Sequence, residues 1–109
     1  MNDIVNKKKP DKISNISGKI KECIEKGNYL VTAHAFNRQN ERFISLPECL
    51  HVLESGYEEK RKSCFDITHN TWKYAIRGKT LREELDVRVI VAFDKNDMLI
   101  ITVMHVGEL

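Results

Sequence analysis

Residues 87–105 read VRVIVAFDKNDMLIITVMH, and this stretch decides the fold. Apolar side chains alternate from Val87 to Phe93, which is the spacing of a β-strand. The polar run at 94–97 predicts a hairpin turn, and residues 98–106 predict the returning strand. Because both strands are apolar on both faces, we expect them at the centre of an antiparallel sheet.

Two weaker strand patterns precede this hairpin. Residues from about 58 to 67 predict a charged, weak strand, and Trp72, Tyr74 and Ile76 alternate with more polar neighbours. His69 and Asn70 predict a tight turn between them. The sequence therefore predicts four antiparallel strands after residue 56.

Helical spacing dominates before Gly56. The first helix is expected from about Ser14 or Ser17 to Lys26. An extended link follows at 29–32, and Thr32 is the expected cap of a second helix that ends near Phe43. Ser45 and Pro47 predict the start of a third helix, which ends at Gly56.

The expected fold class is α+β, with two to three N-terminal helices packed on a four-stranded antiparallel sheet. Residues 1–13 are polar and are interpreted as a flexible leader, and residues 14–109 as a single domain. The side chains expected to be buried between helices and sheet are Phe36, Phe43, Leu50 and Leu53.

Composition narrows the classes of function. The chain has 109 residues, 41% hydrophobic and 31% charged, which fits one globular domain rather than a disordered segment. A net charge of +2 permits a nucleic acid as partner without demanding one. Three separated cysteines, expected to be buried, and no evident signal peptide favour the cytoplasm. No apolar run is long enough for a membrane span.

The stretch 34–43 (HAFNRQNERF) carries the strongest chemical signal. On a helix, His34, Arg38, Glu41 and Arg42 fall within one quadrant, opposite Phe36 and Phe43. A proton-transfer group beside fixed positive charge suits chemistry on a phosphate. The plainer interpretation is a solvated helix face with a Glu–Arg pair.

Basic residues of the strands are candidates for substrate binding. Lys73 and Arg77 share one face of their strand, and a hairpin of regular register places Arg88 on the same face as His105. These side chains are expected to line a basic concavity, although ordinary solvated charges explain them as well. The spacing of the four histidines matches no metal motif, so neither a metal nor another cofactor is expected.

Several stretches of the sequence resemble a bacterial domain family of unknown function, number 4258. They are the pattern His34-x3-Arg38-x2-Glu41-Arg42, residues 47–56, and the strands at 72–78, 87–93 and 100–103. The resemblance covers about residues 17–106. Its layout is similar to the RelE and MqsR type (BECR-like) toxin ribonucleases. That resemblance implies metal-independent RNA cleavage, an antitoxin partner and site residues at His34, Arg38 and Arg42. The chain departs from the family pattern at Phe43, where a glycine is common.

We therefore expect the toxin component of a toxin–antitoxin system, an endoribonuclease that cleaves RNA by transesterification. His34 would transfer the proton, Arg38 and Arg42 would hold the phosphate, and His105 would be the complementary acid. Lys73, Arg77 and Arg88 would bind the substrate. The alternative is a non-catalytic interaction module that binds a protein or a nucleic acid through the same basic face.

Overall fold

The computed structural model describes residues 9–82 and 84–107, and the expected leader therefore lies largely outside the described residues. Within them, three helices precede most of a six-stranded sheet. The helices are α1 (Ile16–Lys26), α2 (Ala33–Arg42) and α3 (Leu46–Ser55). The strands are β1 (Tyr29–Val31), β2 (Tyr57–Glu58), β3 (Cys64–Asp66), β4 (Thr71–Lys79), β5 (Asp86–Asp94) and β6 (Asp97–His105).

Side-chain caps explain where each helix begins. Asn15, and neither of the predicted serines, caps α1 by accepting a hydrogen bond from the Gly18 N–H. The predicted caps of the other two helices are confirmed: Thr32 accepts from the Ala35 N–H, and Ser45 from the Glu48 N–H. These bonds satisfy backbone donors that have no partner inside a helix.

The mixed α+β class is confirmed, but the expected four-stranded antiparallel sheet is wrong in detail. The strand order is β1-β6-β5-β4-β2, with β3 paired to β4 beside β2. The link at 29–32 forms β1, which pairs in parallel with the start of β6. The weak strand predicted at 58–67 divides into β2 and β3, because the turn between them interrupts the pairing with β4.

One face of the sheet carries the core. Its strands contribute Tyr74, Ile76, Val87, Val89, Val91, Met98, Ile100 and Val103. Helices α1 and α3 cover this face with Ile16, Ile20, Cys23, Cys49, Val52 and Leu53. We call the opposite side the open face; it carries Lys73, Ala75, Arg77, Arg88, Ile90, Ala92, Leu99 and Met104.

A β-bulge in the hairpin of β5 and β6 determines which face of the sheet the later side chains of β6 occupy. Val91 pairs with Ile100, whereas the preceding residue, Ile90, pairs with Thr102, so Ile101 is the extra residue on β6. Beyond the bulge Arg88 pairs with Met104, and Val87 pairs with His105. The expectation that Arg88 and His105 share a face is therefore wrong, because one inserted residue reverses the facing of every later side chain.

The buried side of helix α2 differs from the one predicted from the sequence. Ala35 and Gln39 are its buried residues, whereas Phe36 is 57% exposed and Phe43 is 90% exposed. Phe43 does not belong to the helix: it is the C-cap, in the left-handed region at φ 56°, and Ile44 enters the core in its place. The predicted burial of both phenylalanines is wrong, whereas Leu53 is buried and Leu50 packs against the core.

Residues 9–13, the described part of the expected leader, contact β4. The Trp72 Nε1–H donates to the Pro10 carbonyl at 2.9 Å, and the Ile13 N–H donates to the Tyr74 hydroxyl at 2.9 Å. Lys9 and Lys12 lie over the Trp72 ring. Among the cysteines, Cys23 and Cys49 are buried but Cys64 is exposed on short β3, which corrects the expectation for that residue.

A close backbone approach at Gly56 joins α3 to the sheet. A Cβ atom at this position would collide with the carbonyl oxygen of Arg77 and would lie 2.6 Å from the carbonyl oxygen of Val52. The Cα of Gly56 also lies 3.1 Å from where a Cβ of Gly78 would be. Two glycines therefore let the end of α3 reach β4 at backbone distance.

We expect Gly56→Ala to lower the free energy of unfolding by about 2–3 kcal/mol, because both obstructing atoms belong to the backbone and cannot rotate away. Urea denaturation measures the loss. Gly27→Ala is the control: Gly27 has φ 72° with no obstructing atom within 4 Å, so it should lose only about 1 kcal/mol. Equal losses in the two variants would contradict the close-approach argument.

Candidate functional site

We call the four charged or titratable side chains His34, Arg38, Glu41 and Arg42 the stripe; they lie along one flank of α2. His34 is exposed in the first turn, Arg38 follows one turn later, and Arg42 is the last helical residue. The other flank carries Phe36 and Phe43, which line a groove that also includes Leu46 of α3. The stripe of His34, Arg38, Glu41 and Arg42 therefore points away from α3.

Glu41 holds the two guanidinium groups of the stripe together. Arg38 Nη1 donates to Glu41 Oε1 at 2.5 Å, and Arg42 Nη1 lies 3.7 Å from the same oxygen. A carboxylate between two cations offsets the repulsion expected for arginines four residues apart. The stripe consequently presents two cations and one anion beside an imidazole.

His105 joins the far end of the stripe. Its Nε2 lies 3.2 Å from the backbone carbonyl oxygen of Arg42. A carbonyl oxygen only accepts, so the Nε2 atom of His105 carries the proton in this contact. Because α2 rises about 1.5 Å per residue, His34 lies about 12 Å along the helix from Arg42 and its neighbour His105. The two histidines thus occupy opposite ends of the stripe.

The arginines of the open face form a separate ion-pair cluster. Arg88 donates from Nε and Nη2 to both carboxylate oxygens of Glu59, at 2.6 and 3.2 Å. Arg77 donates to Asp86 at 3.0 and 2.6 Å and also reaches Glu59. The hydrogen bond from Arg88 lowers the pKa of Glu59, and the one from Arg77 lowers the pKa of Asp86. Both guanidinium groups are therefore engaged within the protein.

Lys73 belongs to another cluster on the same face. Its Nζ lies 3.3 Å from Asp66 Oδ2, the same oxygen that contacts His69 Nδ1 at 2.8 Å. The His69 backbone N–H also donates to Asp66 Oδ1 at 3.3 Å. The hydrogen bond from His69, with weaker contributions from Lys73, lowers the pKa of Asp66 to about 2.

The structure thus divides the predicted site residues into two groups. His34, Arg38, Arg42 and His105 lie along α2 and the end of β6. Lys73, Arg77 and Arg88 share the open face, as the strand parity predicted for the first two. This face is not the basic concavity that was expected, because acidic side chains lie against all three cations.

Sequence reasoning missed Glu59 and Asp66 among those acidic partners. Glu59 lies in the charged run 58–62, and no local spacing distinguishes it from its neighbours. The contact between Asp66 and His69, in contrast, could have been predicted from the sequence. An aspartate three residues before a turn histidine can accept hydrogen bonds from both the backbone N–H and the ring N–H of that histidine.

Metal ligation and membrane insertion can be assessed for the described residues. No cluster of three or more His, Cys, Asp or Glu side chains in 9–82 and 84–107 could hold a metal ion. Over the same residues, no helix has the length and apolar character needed to cross a bilayer.

The fold and the candidate residues define a small α+β domain with a charged helix at the edge of its sheet. The family model described as "Domain of unknown function (DUF4258)" matches residues 31–105. The chain belongs to this family. The matched range runs from the end of β1 to the end of β6 and contains every candidate residue. No curated protein matches the chain.

Glu59→Gln should lower stability at neutral pH by about 1–3 kcal/mol, because Arg88 loses a charged acceptor. The pKa of Glu59 in the folded protein lies below its ordinary value of 4.5. Its contribution is therefore complete above that pH and is lost as the pH falls through the folded pKa.

The measurement is the melting temperature of wild type and Glu59→Gln between about pH 7 and about pH 3. The gap between the two proteins should narrow as the pH falls. Glu54→Gln, at an exposed position of α3, should follow the wild type throughout. A gap independent of pH would contradict a role for the ionised carboxylate.

Proposed function

We propose that the protein is a metal-independent endoribonuclease of the toxin type, acting on single-stranded RNA through the stripe on α2. The observation that carries the proposal is the arrangement of one exposed imidazole and two guanidiniums along one helix flank. The similarity of the family's layout to that of the RelE and MqsR type toxins supports it, and an antitoxin protein would be the partner.

In the proposed reaction, the 2′-oxygen of the RNA attacks the adjacent phosphorus. His34 takes the proton from the 2′-hydroxyl as the new P–O bond forms. Arg38, one helical turn away, stabilises the charge that develops on the non-bridging oxygens. The bond to the 5′-oxygen breaks, that oxygen takes a proton, and the products are a 2′,3′-cyclic phosphate and a 5′-hydroxyl.

Arg42 and His105 act at the other end of the stripe. The backbone of Arg42, which His105 contacts, lies about 12 Å along the helix from that of His34. This is too far for His34 and His105 to act as base and acid on one phosphodiester, because each needs hydrogen-bond contact with it. We assign these two residues to the neighbouring phosphate. Water then supplies the proton to the leaving 5′-oxygen, in place of the acid role expected of His105 from the sequence.

Non-catalytic binding is the second candidate function, and a specific observation favours a protein partner for it. Phe36 and Phe43 are exposed beside a groove of about 500 Å³ on the flank of α2 opposite the stripe. Exposed apolar side chains of this size are typical of interaction surfaces. The arginines of the open face, already paired with Glu59 and Asp86, are less suited to this role.

His34→Ala tests the proposed proton transfer. The wild type should cleave RNA in the presence of a chelator and should slow growth when expressed alone, whereas His34→Ala should do neither. Its free energy of unfolding should stay within about 0.5 kcal/mol of wild type, because the side chain is exposed. His51→Ala, on α3, is the control and should cleave normally. A wild type that cuts no RNA but binds a partner protein would favour the second candidate.

Arg38→Lys tests the phosphate contact separately from charge. An ammonium cannot reproduce the planar, bidentate guanidinium–phosphate contact, so we expect kcat/KM for RNA cleavage to fall at least about tenfold. Arg61→Lys, at an exposed position in the turn after β2, makes the same exchange outside the stripe and should not change the rate. Unchanged cleavage by Arg38→Lys would remove Arg38 from the proposed mechanism.

A further inference from the structure

A groove of about 560 Å³ crosses the open face of the sheet, apart from the stripe on α2. Its floor is apolar and consists of Ala92, Leu99 and Ile101. Ala92 and Leu99 are register partners on neighbouring strands, and Ile101 is the extra residue of the bulge. This volume lies within the range of small-ligand sites, about 300–1,000 Å³.

One end of the groove holds the Asp66–His69–Lys73 cluster. Because the pKa of Asp66 is lowered to about 2, its carboxylate stays ionised and can only accept hydrogen bonds. The Nδ1 atom of His69, 2.8 Å away, must therefore carry a proton. In the imidazolium form Nε2 also carries a proton and can donate to an anion, and the side chain is 73% exposed. Asp66 thus orients the ring of a histidine in the groove wall.

The other end of the groove reaches the start of α2. Thr32 lines the groove, caps α2 through its Oγ1, and donates from the same atom to the Ile101 carbonyl at 3.2 Å. His34 follows two residues later. The groove therefore connects the Asp66–His69–Lys73 cluster to the helix that carries the stripe.

We propose that this groove binds one nucleotide of a single-stranded RNA, next to the phosphate that the stripe holds. This inference rests on the proposed function, since it assigns a neighbouring subsite to the same substrate. The flat side of a base lies on Ala92 and Leu99, and the phosphate of that nucleotide contacts Lys73 and His69.

The chemistry of the groove suits a nucleotide at each point. An apolar floor takes the face of any base, and single-stranded RNA is recognised through splayed bases. Asp94 lines the groove and offers a carboxylate to the amino or imino N–H groups of a base edge. Lys73 is about one-third exposed, so its ammonium can contact a phosphate while Asp66 remains beside it.

The test uses the full chain, labelled with ¹⁵N, and a trinucleotide of 2′-O-methyluridine as probe. This probe lacks the 2′-hydroxyl nucleophile and cannot be cleaved by transesterification. NMR titration should shift the backbone amides of Lys73, Ala92 and Leu99. Lys73→Ala and His69→Ala should each weaken binding about tenfold, the usual cost of one charge-assisted contact.

Two matched controls accompany these variants. Lys79→Ala removes a lysine from the same strand and face, outside the groove, and His51→Ala removes a histidine from α3. Both should bind within about twofold of wild type. Shifts confined to α2, or unchanged affinity in Lys73→Ala and His69→Ala, would overturn the proposal. Shifts at Lys73 without shifts at Ala92 and Leu99 would overturn the base contact.

The outcome separates this inference from the proposed catalysis. If the wild type cuts no RNA but the trinucleotide binds with the expected losses, the groove is a nucleotide site and the catalytic proposal fails. If the wild type cuts RNA and both groove variants bind the probe normally, the catalytic proposal stands and the groove proposal fails.

Discussion

The single extra residue at Ile101 determines which side chains can act together. Without this bulge, His105 would lie on the open face together with Arg88. With it, His105 reaches the end of α2, whereas Arg88 stays beside Arg77 on the open face, where the regular pairing of β4 with β5 places it. One backbone irregularity thus separates a helix-edge site from an open-face cluster.

Because the open face is separated from the stripe on α2, its arginines pair with acidic side chains of the sheet and its turns. Glu59 joins the turn after β2 to β5 by accepting from Arg88, and Arg77 bridges Glu59 and Asp86. These bonds tie three parts of the chain together on the face of the sheet opposite the hydrophobic core cluster. The charged side chains of the open face therefore connect different elements, whereas those of the stripe pair with one another along a single helix.

Much of the fold could be predicted from the sequence, because caps and strand alternation are local. Thr32, Ser45 and Gly56 bound their helices as expected. The β1 strand could not be predicted, since three residues carry no periodicity and its parallel partner is almost 70 residues away. The predicted burial of Phe43 is wrong for a local reason: its left-handed backbone, a conformation that glycine favours, ends the helix one residue earlier.

The candidate site was less predictable, because its partners come from distant parts of the chain. The stripe follows from helical spacing alone, whereas the contact of His105 with Arg42 depends on the bulge and the pairing of Glu59 with Arg88 depends on a turn. No periodicity encodes either contact. The sequence pattern could therefore identify His34, Arg38 and Arg42 as candidate site residues. It could not show which of the other basic side chains form ion pairs with acidic residues.

The contact between Pro10 and Trp72 has a consequence for how unfolding is observed. Trp72 is the only tryptophan of the chain, and its indole is held by the Pro10 carbonyl and covered by two lysines. Its fluorescence consequently responds to the attachment of residues 9–13 to β4, which closes a loop of about 60 residues, as well as to the packing of β4 on the core. Far-ultraviolet circular dichroism follows the helices and the central sheet. A fluorescence transition that precedes the dichroism transition would therefore report release of residues 9–13, and a two-state analysis requires that the two transitions coincide.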